Sequence, residues 1–367
     1  MAIRISEFTI HGFRGIQELN VHNLNHVNLI VGDNNCGKTS VLEALQLLRN
    51  PSSTTNIIRV ARLRETARIY RSSNYESFVD LFSKPASNLC IDISAIAMGQ
   101  KVRFQLAGEC TRIILDSQEM EKNIRRFYFG SEKNPIETEV NAFSGNFISD
   151  INGTIHKENI LFHEYTTVSG MAINRDSLMK IHYLSPYDHI RGGIINEIIA
   201  NEDYKKLCVN ILQLFDSDIV DLLILKDKVS NQYVEYIKHK VLGNMPISTY
   251  GDGIKKVLAL ANAIAKANNG ILLIDEIETA IHSKYYQDIF SFAILACLQF
   301  NVQLFITTHS IEALDAILKT QDYSNHHDEE KISVITLRRE PRKTLSRVLT
   351  GRQVELNRES FGFEVRI

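Results

Sequence analysis

The chain has 367 residues and a nearly balanced charge, with 41 Lys and Arg against 43 Asp and Glu. Hydrophobic residues make up 44% and charged residues 23%, proportions that fit a globular protein and exclude a disordered or fibrous one. Because the formal net charge is only −2, any surface that binds nucleic acid has to be local. The cysteines lack the paired spacing of a zinc site or a disulfide framework, so we expect reduced thiols in a cytoplasmic protein.

The N-terminal segment predicts a strand. Apolar residues alternate at Ile3, Ile5, Phe8 and Ile10, which does not fit the unbroken apolar core of a signal peptide. The longest apolar run, at residues 289–298, is far shorter than the roughly 20 residues that a bilayer requires. We therefore expect neither secretion nor membrane insertion.

The next segments predict a strand, a turn and a helix, followed by an arginine-rich stretch. Apolar residues at 27–30 lead into a Gly-rich turn, and helical spacing begins at Ser40. Five arginines then follow, several of them three or four residues apart. We interpret this run as a solvated helix face and keep a nucleic-acid stripe as the alternative. Its members are Arg59, Arg62, Arg64, Arg68 and Arg71.

The rest of the chain divides by its periodicity. Short alternating stretches broken by Gly and Asn turns predict an antiparallel β-rich subdomain at 88–165. Helical spacing between 194 and 241 predicts a helical insertion, assigned to residues 190–243. From 255 onward, helices alternate with strands at 271–274, 302–307 and 332–337, which indicates a parallel sheet.

The strongest motif spans residues 32–39, which read Gly-Asp-Asn-Asn-Cys-Gly-Lys-Thr. This is a complete G-x-x-x-x-G-K-[ST] sequence between a predicted strand and a predicted helix, the context of a phosphate-binding loop. Its backbone amides can curl around phosphates, Lys38 supplies a cation to them, and the Thr39 hydroxyl can join Mg²⁺. The candidate nucleotide-binding residues are Asn34, Asn35, Cys36, Gly37, Lys38, Thr39 and Ser40.

Two further strands end in residues suited to phosphate chemistry. The strand at 271–274 ends in Asp275 and Glu276, at the edge where open α/β sheets place ligands. Asp275 is a candidate Mg²⁺ ligand, and Glu276 is positioned to polarise an attacking water. The strand that follows it in the chain ends at His309, which becomes a catalytic candidate because both strands end at one rim. The predicted catalytic set is Glu276, His309 and Lys38.

These elements resemble the ABC-type ATPases of the SMC, RecF and OLD branch. Residues 10–15, Ile-His-Gly-Phe-Arg-Gly, are similar to the first-strand motif of that branch, and residues 32–39 are similar to its Walker A loop. Asp275 and Glu276 match Walker B, and His309 matches the switch histidine. The resemblance implies an α/β fold, ATP as the nucleotide, Mg²⁺ as its metal, and hydrolysis of ATP.

The resemblance also assigns a segment shortly before Walker B to the ABC signature. Residues 248–256 open a predicted helix at the right place, although Gly251 stands where the family has a serine. Ser248 or the amides of the helix N-terminus would then replace that hydroxyl. The residues carried over as nucleotide contacts are Arg14, Ser248, Gly251, Asp252 and Gly253. Residues 183–186 are the candidate for the Q-loop.

The resemblance implies one ABC-type ATPase domain, a P-loop head with a mixed or parallel core sheet. Its parts are a nucleotide-binding core at 1–50 and 245–340, the β-rich subdomain at 88–165 and the helical insertion at 190–243, all within 1–367. Two copies would close around ATP as a homodimer or within a larger homo-oligomer. The roughly 30 residues after the last core strand are too few for the TOPRIM nuclease of OLD relatives, which favours a separate effector.

Three hypotheses about the biological role follow. The first is an ATPase subunit that regulates a separate nuclease or toxin in bacterial defence against phage. The second is a DNA-binding clamp of repair or replication that uses the arginine run on phosphates. The third is a scaffold that binds ATP without hydrolysing it, which Glu276 and His309 argue against.

Overall fold

The computed structural model describes residues 3–64, 73–84, 89–115, 138–166, 177–226, 231–323, 330–340 and 343–361. The strands are β1 (Ile5–Phe13), β2 (Ile16–Val21), β3 (Val27–Gly32), β4 (Leu89–Ala97), β5 (Gln100–Leu115), β6 (Thr138–Ile151), β7 (Thr154–His163), β8 (Ile181–Leu184), β9 (Ile219–Lys226), β10 (Tyr233–His239), β11 (Gly243–Pro246), β12 (Ile271–Ile274), β13 (Gln303–Thr307), β14 (Ile332–Arg339) and β15 (Thr344–Thr350). The α-helices are α1 (Lys38–Leu47), α2 (Thr54–Ala61), α3 (Asn74–Val79), α4 (Asn196–Ile199), α5 (Glu202–Leu212), α6 (Asp252–Lys266), α7 (Tyr286–Gln299), α8 (Ile311–Leu318) and α9 (Gly351–Phe361).

A mixed sheet in the order β15-β14-β3-β13-β12-β8 forms the centre of the fold. Its strands are parallel except β15, which pairs antiparallel with β14. Every residue of β3, β12 and β13 is buried, as expected for strands covered on both faces. The predicted α/β class with a mixed core sheet is confirmed.

Two hydrophobic cores lie on opposite faces of this sheet. Because side chains alternate along a strand, Leu272 and Ile274 enter the core formed with α6, α7 and α8. Ile271 and Leu273 enter the other core, formed with α1 and the antiparallel sheet. The P-loop helix α1 is therefore held between the two sheets.

The second sheet is antiparallel, in the order β2-β1-β4-β5-β6-β7. Four phenylalanine rings join α3 and the segment after it to β6 and β7, with ring centroids 4.9 to 5.6 Å apart. These rings are Phe78, Phe82, Phe143 and Phe162. Their packing fixes this sheet against the segment that follows α1 and α2.

One buried amide ties the two large sheets together. Gln303 at the start of β13 accepts hydrogen bonds from the backbone N–H groups of Arg4 and Ile5, at 2.9 and 2.8 Å. Its side-chain nitrogen donates to the backbone oxygens of Ile5 and Asn25, both at 2.8 Å. Because each polar atom of this fully buried side chain has a partner, its burial costs little.

The predicted helical insertion at 190–243 is wrong in its second half. Helices α4 and α5 are present, but β9, β10 and β11 form a three-stranded antiparallel sheet. Residues 219–226 are rich in Ile, Val and Leu, and Gly243, at a φ of 75°, allows the tight turn between β10 and β11. Helical spacing ends with α5, and the apolar residues after it belong to strands.

Within the described residues, no helix is long and apolar enough to cross a bilayer.

His182 on the edge strand β8 should make stability depend on pH. Burial, with help from Lys266, lowers the pKa of His182 to about 4, so the unfolded chain binds the proton more tightly than the folded one. The stabilisation is complete above the unfolded pKa of about 6.5 and is lost as the pH falls toward 4. His182→Gln should remove this dependence, which amounts to at most about 3 kcal/mol.

The measurement is the free energy of unfolding in urea at pH 7 and pH 5 for both proteins. Wild type should lose more stability than His182→Gln on acidification. Equal losses would contradict the assignment.

Candidate nucleotide site

The loop between β3 and α1 adopts a conformation that requires its glycines. Gly32 has a φ of 139°, and a Cβ there would lie 2.2 Å from the backbone oxygen of Leu337. Gly37 has a φ of 104° and precedes the first residue of α1. Asn35 also has a positive φ, 63°, a conformation that asparagine tolerates better than most residues. The backbone therefore curls at the helix N-terminus, where amides can face an anion.

Lys38 lies inside this loop and is almost fully buried. Its ammonium donates to the backbone oxygens of Gly32 and Asp33, both at 2.8 Å, and lies 3.9 Å from the Cys36 sulfur. Burial lowers the pKa of Lys38. Asn34 and Asn35 are exposed at the loop tip, whereas Cys36 is buried beside Gly32.

Asp275 is the point where the P-loop meets three strand ends. Its Oδ1 accepts hydrogen bonds from the hydroxyls of Thr39 (3.1 Å) and Thr307 (2.6 Å). Its Oδ2 accepts a hydrogen bond from the Tyr183 hydroxyl at 3.1 Å, and burial raises the pKa of that tyrosine. A buried carboxylate beside a threonine hydroxyl offers the hard oxygen ligands that Mg²⁺ prefers. Thr39 and Asp275 therefore fit the metal that the sequence predicts.

Glu276 follows Asp275 with an unusual backbone conformation. Its φ is 49°, and its backbone N–H donates to the Thr307 hydroxyl at 2.8 Å. The carboxylate is 41% exposed, and its Oε1 lies 3.8 Å from Nε2 of His309. The backbone N–H of His309 in turn donates to Oε1 of Glu278 at 2.7 Å. An acid that is accessible to water and a histidine thus lie together at the rim beside Asp275.

The guanidinium group of Arg14 forms an ion pair within the protein. Its Nε lies 2.7 Å from Oε2 of Glu43, a fully buried residue of α1. Arg64 approaches the same carboxylate from the other side, at 2.7 and 2.8 Å, and donates to the Ser40 hydroxyl at 3.1 Å. To contact nucleotide, Arg14 would have to leave this pair. Ser40 lies in the same network, immediately after Thr39.

The predicted signature residues lie at the N-terminal end of α6. Ser248, Gly251 and Asp252 are exposed. A Cβ on Gly253 would lie 3.4 Å from the backbone oxygen of Ala280, so α6 starts directly against the loop that follows Glu276. This end of α6 contacts that loop of its own chain and presents an exposed helix N-terminus to its surroundings.

Another group of potential metal ligands lies away from this site. Carboxylate and imidazole atoms of Asp216, Asp218 and His239 all fall within 4.8 Å of one another. However, Nδ1 of His239 accepts from the backbone N–H groups of Val241 and Leu242, both at 3.1 Å. Nε2 must then carry the proton and donate to Asp216 at 3.1 Å, which leaves no lone pair for a metal. The group is a structural Asp–His pair.

The fold and this arrangement of residues define a P-loop nucleoside-triphosphatase head. The family model described as "AAA ATPase domain" matches residues 3–240, and the chain belongs to that family. A second family model, described as "AAA domain, putative AbiEii toxin, Type IV TA system", matches residues 175–315.

Two relatives match the chain at low identity or over a short part of it. A protein of Helicobacter pylori named "ATP/GTP phosphatase" is 21% identical over 393 residues, which covers 96% of this chain and 97% of the relative. An uncharacterized protein of Methanocaldococcus jannaschii is 30% identical over 118 residues, 32% of this chain and 98% of the relative.

Two solved structures share the fold over nearly the whole chain. An SMC head bound to the C-winged helix domain of ScpA has a TM-score of 0.52 at 14% identity, covering 96% of this chain and 100% of that one. An SMC head with an extended coiled coil, bound to a ScpA domain derived from Pyrococcus furiosus, has a TM-score of 0.51 at 12% identity, covering 98% and 100%. The fold that the resemblance implies, that of an SMC-type head, is confirmed.

Glu43 should contribute strongly to stability, because its buried charge faces two guanidinium groups. Glu43→Gln keeps the volume but leaves the buried Arg14 without a counter-charge. We expect a loss of about 3 kcal/mol in the free energy of unfolding, measured by urea denaturation.

Glu139→Gln is the matched control, because Glu139 forms an exposed pair with Arg112 at 3.6 Å. It should cost less than about 0.5 kcal/mol. If Glu43→Gln lowers the free energy of unfolding as little as Glu139→Gln does, the Arg14–Glu43–Arg64 cluster does not stabilise the fold.

Proposed function

We propose that the chain binds ATP with Mg²⁺ and hydrolyses it, and that two copies close face to face around the nucleotide. The observation that carries the proposal is the 3.1 Å hydrogen bond between the Thr39 hydroxyl and Asp275. It joins the end of the P-loop to an acid 236 residues away in sequence, as a shared Mg²⁺ ligand set requires.

Each residue has a role that its position supports. Bound triphosphate draws the Lys38 ammonium away from the two loop oxygens and onto the β- and γ-phosphates, while the loop amides hold the remaining oxygens. Thr39 and Asp275 would hold Mg²⁺, which would supply positive charge to those phosphates. Glu276 polarises the attacking water, and His309 beside it senses or stabilises the γ-phosphate.

The exposed end of α6 supports a composite site. Its helix N-terminus, with Ser248, Gly251 and Gly253, suits the γ-phosphate of a second copy, because backbone amides and the helix dipole favour an anion there. Gly251 supplies no hydroxyl, so Ser248 and these amides make the contact. ATP would then join the two copies.

We further propose that this ATP-driven closure regulates a separate effector, a nuclease or toxin, in cytoplasmic defence against phage. The second family description associates an AAA domain of this kind with a toxin–antitoxin system, which supports a role beside a toxin activity. The purified chain alone should therefore leave DNA and RNA intact. Degradation of nucleic acid by the purified chain, abolished by Lys38→Ala, would contradict it.

The alternative of a DNA clamp loses support from the arginine run. Arg59 donates to Gln46 at 2.8 Å and to Asn56, Arg62 donates to Asn74 at 2.8 Å, and Arg64 binds Glu43. These three guanidinium groups hydrogen-bond to side chains of the same chain, which competes with contacts to phosphates. Arg68 and Arg71 lie outside the described residues.

Two substitutions test the site. Lys38→Ala should abolish ATP binding, because it removes the cation inside the loop. Glu276→Gln should leave binding intact and lower the rate of hydrolysis by at least about a hundredfold, because it keeps the shape and removes the base. Nucleotide binding and phosphate release measure the two effects.

Asp288→Asn, which alters an exposed acid at the start of α7, is the control and should behave as wild type. Glu276→Gln should also form an ATP-dependent dimer in size-exclusion chromatography. If Glu276→Gln binds ATP and remains a monomer, the composite site is wrong. If the wild-type protein does not turn over ATP, the proposed hydrolysis is wrong.

His309→Ala should lower turnover by about tenfold to a hundredfold while ATP affinity changes little, because the imidazole lies beside Glu276 rather than in the loop. Steady-state kinetics separate the two. An equal loss of affinity and turnover would assign His309 to ground-state binding instead.

A further inference from the structure

Lys256 is a fully buried residue of α6 that the proposed chemistry does not use. Its ammonium has no hydrogen-bond partner in the described part of the chain. An unpaired buried ammonium is costly, and burial lowers the pKa of Lys256 to about 8. The next residues on the helix, Val257 and Leu258, are buried and apolar. An apolar residue would therefore also suit position 256 if its role were only structural.

Two other segments of the chain pack against α6, the helix that carries Lys256. α6 packs against the single turn at Asp188–Ile190, which follows β8. The start of α6 also approaches the loop after Glu276, since a Cβ on Gly253 would lie 3.4 Å from the Ala280 oxygen. The carboxylates whose charges act on Lys256 belong to the same two segments, namely Asp188, Glu278, Asp275 and Glu276.

Only one of these carboxylates has a buried oxygen without a partner. Asp188 already accepts from the Ser185 N–H at 2.8 Å and pairs with Arg191 at 3.0 Å. Asp275 is held by Thr39, Thr307 and Tyr183. Glu278 accepts from the His309 N–H through Oε1, whereas its Oε2 is buried and unpaired, as the Lys256 ammonium is.

We propose that Lys256 is a positioning residue that couples the exposed end of α6 to the catalytic rim, by donating to Oε2 of Glu278 when two copies close on ATP. Glu278 already holds the backbone of His309, so this contact transmits a shift of α6 to the histidine and to Glu276. The inference rests on the proposed ATP hydrolysis and names a connection inside that machinery.

Lys256→Met tests the coupling, because methionine fills similar space without charge. The turnover number for ATP should fall at least about tenfold, with the KM for ATP changed less than about twofold. The melting temperature of the nucleotide-free protein should stay equal or rise, since removing an uncompensated buried charge is not destabilising. Lys256→Arg keeps the charge and should retain more turnover than Lys256→Met.

A double-mutant cycle with Glu278→Gln identifies the partner. If the two side chains act through one contact, the double variant should turn over ATP no more slowly than the slower single variant. Lys266→Met, on the last turn of the same helix, is the control and should match wild type. Additive losses would overturn the assignment of Glu278.

The outcomes separate this inference from the proposed function. If wild type hydrolyses ATP and Lys256→Met turns ATP over at the same rate, the coupling is wrong and the proposed function stands. If Lys256→Met lowers both the turnover and the melting temperature, and Lys256→Arg does not restore turnover, then Lys256 has only a structural role. That outcome also contradicts the coupling. Wild type without any turnover refutes the proposed function, and the coupling with it.

Discussion

The carboxylate of Asp275 is the constraint on which the rest of the site depends. Three hydroxyls reach it from three parts of the chain: Thr39 from the P-loop helix, Thr307 from β13 and Tyr183 from β8. The Thr307 hydroxyl also accepts a hydrogen bond from the backbone N–H of Glu276, so one carboxylate fixes the loop, two strand ends and the proposed base together. A buried, hydrogen-bonded acid of this kind keeps its geometry before any ligand arrives.

The sequence predicts those parts of the site that lie in local motifs. The P-loop, Asp275, Glu276 and His309 can be found because glycines, apolar strands and terminal acids have a fixed spacing. For Tyr183 the sequence indicates only a place in a candidate Q-loop, and it assigns no contact to Thr307, Glu43 or Glu278. Their roles arise from packing between distant segments, for which spacing carries no signal; only the polar ending of the Thr307 strand could have pointed to that residue.

The error in secondary structure has a similar cause. The helical spacing between 194 and 241 predicts a helical insertion at 190–243, yet its second part holds β9 and β10 and leads into β11. Short apolar runs fit a buried strand as well as a helix, and pairing with distant residues decides between them. Glu43 shows the same dependence in the core, since its buried charge is acceptable only because Arg14 and Arg64 approach from other elements.

The order of strands has a consequence for biosynthesis. β3, which precedes the P-loop, lies between β13 and β14, so both of its neighbours in the sheet are synthesised long after it. The backbone N–H of Ile5 likewise stays without its partner until Gln303, 298 residues later, has been synthesised. In the nascent chain, β3 therefore stays without its sheet partners until β13 and β14 have been synthesised. Such delayed pairing makes the emerging protein a natural client for chaperones that shield hydrophobic segments.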